Sequence, residues 1–390
     1  MKGKQLVILT GVAAALAGLA VWSTRNESQH TSASGLGGKI LPALKDQINN
    51  VTSLAIQSTA STVTVTRVDG IWRVPAKWNY PADFGTIREA LNSLADLKAL
   101  HFIRTTPSER AQLQLLTAAD KGSTNLDQCA TQVTIQGTGN KSLALLHLGK
   151  TRSRPGQTDD AAMGGGYPDG RYVMNEKGQV WLTGETLQNL TPPLQNWLDP
   201  EFLNLTDILS VQITHPSQDS IKAERANPNG EFTLQGAIPA EKIVDQAKLN
   251  QIGSTLGSLR YDDIADPKLA PETTGLDKPV VCQIRTRKGE SVTIRIGKSP
   301  VGETKRYATV SVAFEAPVQA PVSGTNQEVA VKAQAEEQAK TASAAKTLHE
   351  KLSPWIYLIS QECASALSPE RNALMQDKPK PGDTKDEKKP

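Results

Sequence analysis

Histidines are the side chains in this sequence best suited to hold a metal ion or to transfer a proton, and they occur at positions 30, 101, 147, 215 and 349. None lies within a few residues of a second histidine or of a cysteine, as metal-binding motifs require. His147 falls within a predicted strand, where a structural role is favoured over a ligand role. We therefore expect no metal site and no histidine-based catalysis.

Two short segments are similar to the end of a phosphate-binding loop, LGKT at 148–151 and IGKS at 296–299. That loop needs a glycine five residues before its last glycine, and Ala144 and Val292 stand there instead. Both segments are therefore predicted to be strand ends. The acidic segment YDDIAD at 261–266 is predicted to cap and close a helix. We nominate no catalytic, cofactor-binding or metal-binding residue and expect no enzyme activity.

Composition limits the classes of function. The 390 residues suffice for two domains, each with its own core. The chain has 43 basic and 40 acidic residues and a net charge of +3, too even a balance for a dedicated nucleic-acid binder. Aromatic residues make up 4 %, which argues against stacking platforms. Three cysteines, Cys129, Cys282 and Cys363, are too few for a disulfide scaffold, and Cys282 is predicted to be buried.

An internal repeat organises the chain. The segment from Gly275 to Ser299 has a Leu-Asp turn, an alternating strand, a turn at Lys288-Gly289 and a second strand that ends in Gly-Lys. A diverged copy lies about 150 residues earlier, at 125–151. The alternation of apolar and polar residues predicts half-buried antiparallel strands in both copies. One structural unit is therefore predicted to be used twice.

The flanking segments repeat the same plan. In the first half, alternating strands meet at a predicted hairpin turn at Asp69-Gly70. A helix follows, with Asp83 near its amino end and an apolar stripe at Phe84, Ile87, Leu91 and Leu94. In the second half the corresponding stripe lies 165 positions later, at Leu249, Ile252, Leu256 and Leu259.

Further matches extend the repeat to the carboxy-terminal third. Leu-Asp recurs at 126 and 276, Gly-Lys at 149 and 297, and Arg-Tyr at 171 and 306. A closing strand and short helix are predicted at 179–190 and again at 356–367. In the second copy, residues 315–353 lie between the Arg-Tyr pair and the closing strand. Their Ala, Gln, Glu and Lys content predicts an exposed insertion, helical from Val329 to Leu352.

The amino-terminal segment is predicted to cross a membrane. An uncharged run from Gln5 to Thr24 follows Lys2 and Lys4, and at the helical rise it spans roughly 30 Å, the thickness of a bilayer core. We interpret it as an uncleaved signal anchor with a cytoplasmic amino terminus. A cleaved signal peptide remains the alternative, with small residues for a peptidase at Ala15, Ala17 and Ala20.

The predicted architecture is α+β, with two tandem related domains of antiparallel sheet plus helix after one transmembrane helix. The boundaries are a signal anchor at 1–25, a linker at 26–49, a first repeat domain at 50–203 and a second at 204–370. The insertion at 315–353 belongs to the second domain, and 371–390 are predicted to be a disordered tail.

The order and spacing of these motifs resemble the bacterial domain-of-unknown-function family forty-three-forty. The residues that carry the likeness are the Gly-Leu-Asp-x-Pro turn at 275–279, Ile-Gly at 296–297 and Arg-Tyr at 306–307. It covers residues 50–315 and 354–370. The first copy departs from the pattern at Asn125 and Cys129, and the insertion after Glu315 is atypical.

The resemblance implies a single-pass protein of the bacterial cytoplasmic (inner) membrane, most of whose chain is extracytoplasmic. Members of the family are described as auxiliary subunits of gliding-motility-type ABC transporters, so the implied partners are an ABC-type permease or a second auxiliary subunit. We therefore expect a non-enzymatic accessory or scaffold subunit without a cofactor. The alternative is a module that binds an envelope polymer such as glycan, and a hydrolase of unrecognised type is a third possibility.

Overall fold

The computed structural model describes residues 37–117, 126–154, 167–190, 193–217, 219–228, 230–316 and 327–378. The predicted membrane helix at 5–24 and the end of the predicted tail, 379–390, lie outside the described residues. Within the described ranges, no helix is both long enough and apolar enough to cross a membrane.

The chain divides into two compact units, Met1–Asp199 and Pro200–Pro390. Each unit contains one large antiparallel sheet accompanied by helices. The predicted α+β class is therefore confirmed.

The first unit contains a sheet of nine strands in its described part, in the order β4-β3-β2-β1-β6-β7-β8-β9-β5. The strands are β1 (Val51–Gln57), β2 (Thr62–Val68), β3 (Ile71–Val74), β4 (Tyr80–Pro81), β5 (Ala99–Ile103), β6 (Thr131–Gly137), β7 (Lys141–Arg154), β8 (Tyr167–Asn175) and β9 (Val180–Thr183). The helices are α1 (Leu44–Gln47), α2 (Phe84–Ala95) and α3 (Pro107–Gln112).

The second unit has eight strands in its large sheet, in the order β12-β11-β10-β15-β16-β17-β18-β14 within its described part. The strands are β10 (Ile208–Thr214), β11 (Ser220–Glu224), β12 (Thr233–Leu234), β14 (Asp263–Ala265), β15 (Val280–Thr286), β16 (Glu290–Ile296), β17 (Lys305–Phe314) and β18 (Ile356–Ser360), and β13 (Lys242–Val244) pairs separately with β19 (Met375–Asp377). The helices are α4 (Gln246–Gly257), α5 (Pro271–Thr274), α6 (Gln327–Leu352) and α7 (Gln361–Leu367).

The two large sheets share a strand order once the short strand β4 is set aside. Strands β3-β2-β1-β6-β7-β8-β9-β5 of the first correspond to β12-β11-β10-β15-β16-β17-β18-β14 of the second. The pairing register agrees as well. Ile56 of β1 pairs with Val133 of β6, and Ile213, at the equivalent position of β10, pairs with Cys282 of β15. Each pairing also shifts register at its start, after Val51 in one sheet and after Ile208 in the other.

Strands β1 and β2 pair as their alternation predicts, and the hairpin turn predicted at Asp69-Gly70 joins β2 to β3. Leu54 pairs with Val65, and both side chains are buried on the core side of the sheet. The turn between β2 and β3 places Asp69 at φ 51° and Gly70 at φ 80°. A two-residue turn with positive φ at both positions matches the right-handed twist of the strands it joins, and Asp-Gly is well suited to it.

The folded part begins earlier than the predicted boundary at residue 50. Ile40 and Leu44 are buried, and Lys39 forms a bridge with Lys98 and an ion pair with Asp96 at 2.9 Å. The second half of the predicted linker therefore belongs to the first unit. The segment at 40–48 does carry a helical spacing, at Ile40, Leu44 and Ile48, which the prediction of a linker overlooked.

Helix α2 is confirmed, but its buried stripe differs from the prediction. The Asp83 carboxylate accepts a hydrogen bond from the backbone N–H of Gly85 at 2.8 Å and so caps the helix. Ile87 and Leu94 are fully buried, whereas Phe84 is 58 % exposed. Phe84 is the first helical residue, and the core-facing stripe begins one turn later.

The two main helices are offset by 162 residues, and the predicted offset of 165 is wrong. Asp245 caps α4 by accepting from the N–H of Lys248, as Asp83 caps α2. Leu249 therefore corresponds to Ile87, and Leu256 corresponds to Leu94. A shift of three residues rotates a helix by nearly a full turn, so both registers fit an apolar stripe almost equally well.

The closing segments differ between the units. In the second unit the Ser360 hydroxyl accepts from the N–H of Cys363 and starts α7, as predicted. In the first unit residues 184–190 form turns, so the predicted short helix is wrong. There the Thr183 hydroxyl donates to the carbonyl of Glu185 at 2.8 Å, and Leu187 has a φ of 52°. This local bond turns the chain before a helix can begin.

The insertion helix α6 confirms the predicted helix from Val329 to Leu352, and its described side chains are mostly exposed or half-buried except on the side that meets the sheet. It packs against β17, with Ala345 and Leu352 buried. The backbone N–H of Val312 donates to Nδ1 of His349 at 3.2 Å. Strand β18 pairs with β17 only as far as Ala308, so α6 covers an edge that would otherwise offer free backbone groups.

Candidate functional site

In each unit the repeated Gly-Lys and Arg-Tyr pairs contact each other, and we call this contact the glycine–arginine junction. Arg171 Nε donates to the carbonyl of Gly149 at 2.9 Å. Arg306 Nε donates to the carbonyl of Gly297 at 2.6 Å. Burial lowers the pKa of both arginines from its ordinary value. The repeated motifs therefore join neighbouring strands through an arginine–carbonyl hydrogen bond.

The glycines of the junction permit a close backbone approach. The N–H of Lys150 donates to the Leu113 carbonyl, and the N–H of Lys298 donates to the Thr274 carbonyl, both at 2.8 Å. A Cβ atom built on Gly297 would lie 2.2 Å from the carbonyl oxygen of Thr274, which is too close for any side chain. The predicted strand end is confirmed in the second unit, where β16 ends at Ile296 directly before Gly297, but Gly149 lies inside β7, which continues to Arg154.

The turn that precedes each junction corrects the predicted alignment of the copies. Gly275 adopts φ 72° after α5, and Gln114 adopts φ 56° after α3. In each case the backbone N–H of the next residue donates to the carbonyl five residues earlier, from Leu276 to Pro271 and from Leu115 to Arg110. Gln114-Leu115 is therefore the counterpart of Gly275-Leu276, and the predicted counterpart beginning at Asn125 is wrong.

The misleading Leu-Asp pair at 126–127 lies in an excursion of the first unit. Leu126 is 63 % exposed, whereas Leu115 is fully buried beside Met174 and Val180. The extra residues of the first copy therefore begin after Leu116. The sequence comparison aligned the two Leu-Asp pairs because their residue types match, although the leucine at this position packs on the core.

Three candidates for chemistry in the sequence, His147, Cys282 and part of the YDDIAD segment, lie within strands of the two sheets. His147 is 7 % exposed within β7. The predicted burial of Cys282 is confirmed, and this burial raises the pKa of its thiol to about 12. Residues 263–265 form the edge strand β14, so the prediction that YDDIAD closes the helix is wrong. No group of three or more metal-ligating side chains occurs in the described ranges.

The polar face of the second sheet carries two rows of side chains. Within each row, neighbouring residues lie directly opposite one another on adjacent strands. The first row comprises Lys222, Gln212, Gln283 and Thr293. The second row comprises Glu224, Ser210, Arg285 and Ser291. Most of these residues line a concavity of about 790 Å³. We call this surface the charged face.

The charges on this face are paired. Lys222 Nζ lies 2.6 Å from Glu224 Oε1, and Arg285 forms an ion pair with Glu315. All four side chains are at least 41 % exposed, so each pair adds little to stability and can exchange its partner readily. Such groups are available to a polar ligand or a protein partner.

An immobilised arginine forms one rim of the charged face. Arg225 Nε donates to the carbonyl of Ile208 at 2.6 Å, and its guanidinium lies 5.0 Å above the ring of Phe232. Burial, and then the nearby charge of Arg287, lower the pKa of Arg225. The hydrogen bond and the ring hold this guanidinium in one position.

The corresponding positions of the first sheet carry no charge. The first row there comprises Thr64, Ala55, Thr134 and Leu145. The second row comprises Thr66, Ser53, Gln136 and Ser142. Lys222, Glu224 and Arg285 are thus replaced by Thr64, Thr66 and Gln136. The two units share a backbone plan and present different surfaces.

The sequence revealed part of this face. Because alternate residues of a strand share a side, the alternating strand predicted after the Leu-Asp turn implies that Gln283 and Arg285 lie together, as they do in β15. It could not find the neighbours of these residues on β10 and β11, because cross-strand partners lie some 60 to 75 residues away and carry no local signal. The arrangement offers hydrogen bonds and exchangeable charges to a bound partner.

The fold places this chain in the class of two-unit α+β proteins, and the charged face of its second unit is a polar surface suited to binding. The family model described as Domain of unknown function (DUF4340) matches residues 72–279, more than half of the chain. The chain therefore belongs to this family. The match spans the boundary between the two units. Comparisons with curated proteins and with solved structures gave no match.

Proposed function

We propose that this protein is a membrane-anchored extracytoplasmic accessory subunit that binds a partner protein through the charged face of its second unit. The observation that carries the proposal is the pair of polar rows across β11, β10, β15 and β16, which lies over a concavity of about 790 Å³. An open polar surface with exchangeable ion pairs suits recognition of a partner of complementary charge.

The membrane anchor and the nature of the partner rest on the sequence. The apolar run at 5–24 behind Lys2 and Lys4 supports an anchor in the cytoplasmic membrane. The resemblance described above supports an ABC-type permease, or a second auxiliary subunit of such a transporter, as the partner. Duplication of one ancestral unit accounts for the shared strand order, and the change of charge accounts for a division of labour between the copies.

Affinity purification of the full-length chain from gently solubilised membranes tests the proposal. We expect the wild-type protein to recover a permease or a second auxiliary protein. The double variant Lys222→Glu/Arg285→Glu reverses two charges on the charged face. It should reduce recovery by about tenfold or more if these residues lie at the centre of an interface.

A matched control uses the first sheet. Thr64→Glu/Gln136→Glu introduces the same residues at the corresponding positions there. Loss of the partner in the first double variant, with retention in the second, supports the proposal. Equal recovery with both, or recovery of the chain alone from wild-type membranes, argues against it.

Binding of an envelope glycan is the alternative function. Hydroxyl and amide groups such as Ser210, Gln212 and Gln283 line the concavity and could bind sugar hydroxyls. None of the described lining residues is aromatic, although a ring commonly stacks on a sugar. Retention of the purified chain on cell-wall material after removal of membrane proteins would favour this alternative.

A further inference from the structure

The charged face continues into a second concavity. The two concavities have volumes of about 790 Å³ and about 310 Å³, and they share three lining residues, Leu209, Arg285 and Glu315. The ion pair between Arg285 and Glu315 therefore lies at their common border. A ligand bound on the charged face meets this pair and can extend past it towards the turn after β15, which lines the second concavity.

Positive charge exceeds negative charge in the larger concavity. Its described lining residues include three cations and two anions, namely Lys222, Arg225, Arg285, Glu224 and Glu315. Glu224 pairs with Lys222, and Glu315 pairs with Arg285. Within the described part of the chain no carboxylate forms an ion pair with Arg225. Arg225 is therefore the cation of this lining whose charge is left for a ligand to balance.

Arg225 is held in a position from which it can bind an anion. Its Nε donates to the Ile208 carbonyl at 2.6 Å, and its guanidinium lies over the ring of Phe232. No described residue accepts a hydrogen bond from its two terminal nitrogens, Nη1 and Nη2, and both are open to solvent. A guanidinium can donate two parallel hydrogen bonds to one carboxylate, and a group that is already fixed loses little freedom in doing so.

A second guanidinium adds positive potential at this end of the face. Arg287 Nη2 donates to the carbonyl of Arg225 at 2.6 Å. Burial, and then the charge of Arg287, lower the pKa of Arg225, whereas the charge of Asp207 acts in the opposite direction. Two like charges held close together are unfavourable unless an opposite charge offsets them. An anion beside Arg225 would offset this repulsion.

From these contacts we infer that the charged face recognises an acidic segment of the partner protein, and this inference rests on the proposed function. One carboxylate of the segment binds the terminal nitrogens of Arg225. A second carboxylate replaces Glu315 on Arg285, whose side chain is 62 % exposed and can exchange its partner readily. The polar side chains of Ser210 and Gln235 line the same concavity and can bind the backbone of the segment.

The first unit keeps the arginine and lacks its charged surroundings. Thr66 and Glu224 occupy equivalent positions in the two sheets, so the residues that follow them, Arg67 and Arg225, correspond. The counterpart of Arg285 is the uncharged Gln136. Arg67 is thus an internal control, because it is an arginine at the equivalent position of a face that carries no charged rows.

Binding of short synthetic peptides to the full-length chain in detergent tests the inference by isothermal titration calorimetry. The probes are hexaglutamate, hexaglutamine and hexalysine at constant ionic strength. We expect hexaglutamate to bind at least tenfold more tightly than the other two peptides. Arg225→Lys should weaken its binding by about tenfold, since lysine keeps the charge but loses the paired donors. Lys222→Glu/Arg285→Glu should abolish it.

Arg67→Lys is the matched control and should bind hexaglutamate as the wild type does. Equal binding of hexaglutamate and hexaglutamine, tighter binding of hexalysine, or wild-type affinity in Arg225→Lys overturns the inference. Such a result leaves the proposed function standing if Lys222→Glu/Arg285→Glu still loses the partner in the affinity purification.

Hydrogen exchange in β10 and β11 shows whether Arg225→Lys is folded. If protection is lost there, Arg285→Gln replaces it as the test variant, because it changes an exposed side chain. This variant should weaken hexaglutamate binding at least threefold, and wild-type affinity would overturn the inference.

Discussion

Replacing Gly297 with alanine should destabilise the second unit strongly. The new Cβ would lie 2.2 Å from the backbone oxygen of Thr274 and 3.2 Å from its carbonyl carbon. The chain cannot simply move apart there. The N–H of Gly297 donates to the Tyr307 carbonyl, and the next N–H, of Lys298, donates to the Thr274 carbonyl, both at 2.8 Å.

The magnitude follows from these contacts. Overpacking against a rigid neighbour costs about 1–3 kcal/mol. If the strand shifts to relieve the clash, loss of the Lys298 hydrogen bond costs about 1 kcal/mol more. We therefore expect the free energy of unfolding of the second unit to fall by about 2–4 kcal/mol. Gly149→Ala should act in the same way on the first unit, because its Cβ would lie 2.4 Å from the Leu113 carbonyl oxygen.

Pulsed hydrogen exchange at increasing urea concentration measures this for each unit separately, through peptides from β16 and β17 or from β7 and β8. Gly257→Ala is the matched control, because a Cβ there lies 3.7 Å from its nearest neighbour, the Leu205 carbonyl oxygen. At the end of α4, alanine should be neutral or stabilising by up to about 1 kcal/mol. Unchanged urea midpoints for Gly297→Ala and Gly149→Ala would refute the proposed role of the junction.

Three further predictions concern single side chains. Arg306→Met leaves the Gly297 carbonyl without its charged donor and should cost about 1.5–3 kcal/mol in urea unfolding of the second unit; an effect below 0.5 kcal/mol would contradict this. Burial raises the pKa of Cys282 to about 12 from 9.0, so the folded protein should resist alkylation at Cys282 at pH 8 while Cys129 and Cys363 react. Because the unfolded thiol ionises first, this group should lower stability as pH rises from about 9 towards 12. Phe84→Ser should change stability by less than about 0.5 kcal/mol, whereas Ile87→Ala should cost about 2–5 kcal/mol, as measured by thermal unfolding.

Features that depend on short-range pattern were predictable from the sequence. The hairpin at Asp69-Gly70, the cap at Asp83 and the buried side of β15 each follow from residues within a few positions of one another. Alternation and capping are local physical rules, so a single sequence contains the information they need.

The errors arose where the correct choice depended on contacts distant in sequence. Gln114 corresponds to Gly275 although the residue types differ, because both positions need a positive φ before a leucine that packs on a core cluster, Leu115 buried and Leu276 partly buried. Glutamine adopts that conformation only when the surrounding structure holds it there, so its sequence offers no signal. The exposure of Phe84 likewise depends on where the sheet meets the helix.

The comparison of the two units separates what the fold requires from what a function can use. The glycine–arginine junction occurs in both, with the same hydrogen bonds, although the surrounding loops differ. By contrast, the charged face occurs in the second unit, at positions whose counterparts in the first unit carry no charge. If the copies had been kept for one shared binding role, their outward rows should resemble each other more than their junctions do. The reverse is found, and this supports the proposal that a partner binds the second unit.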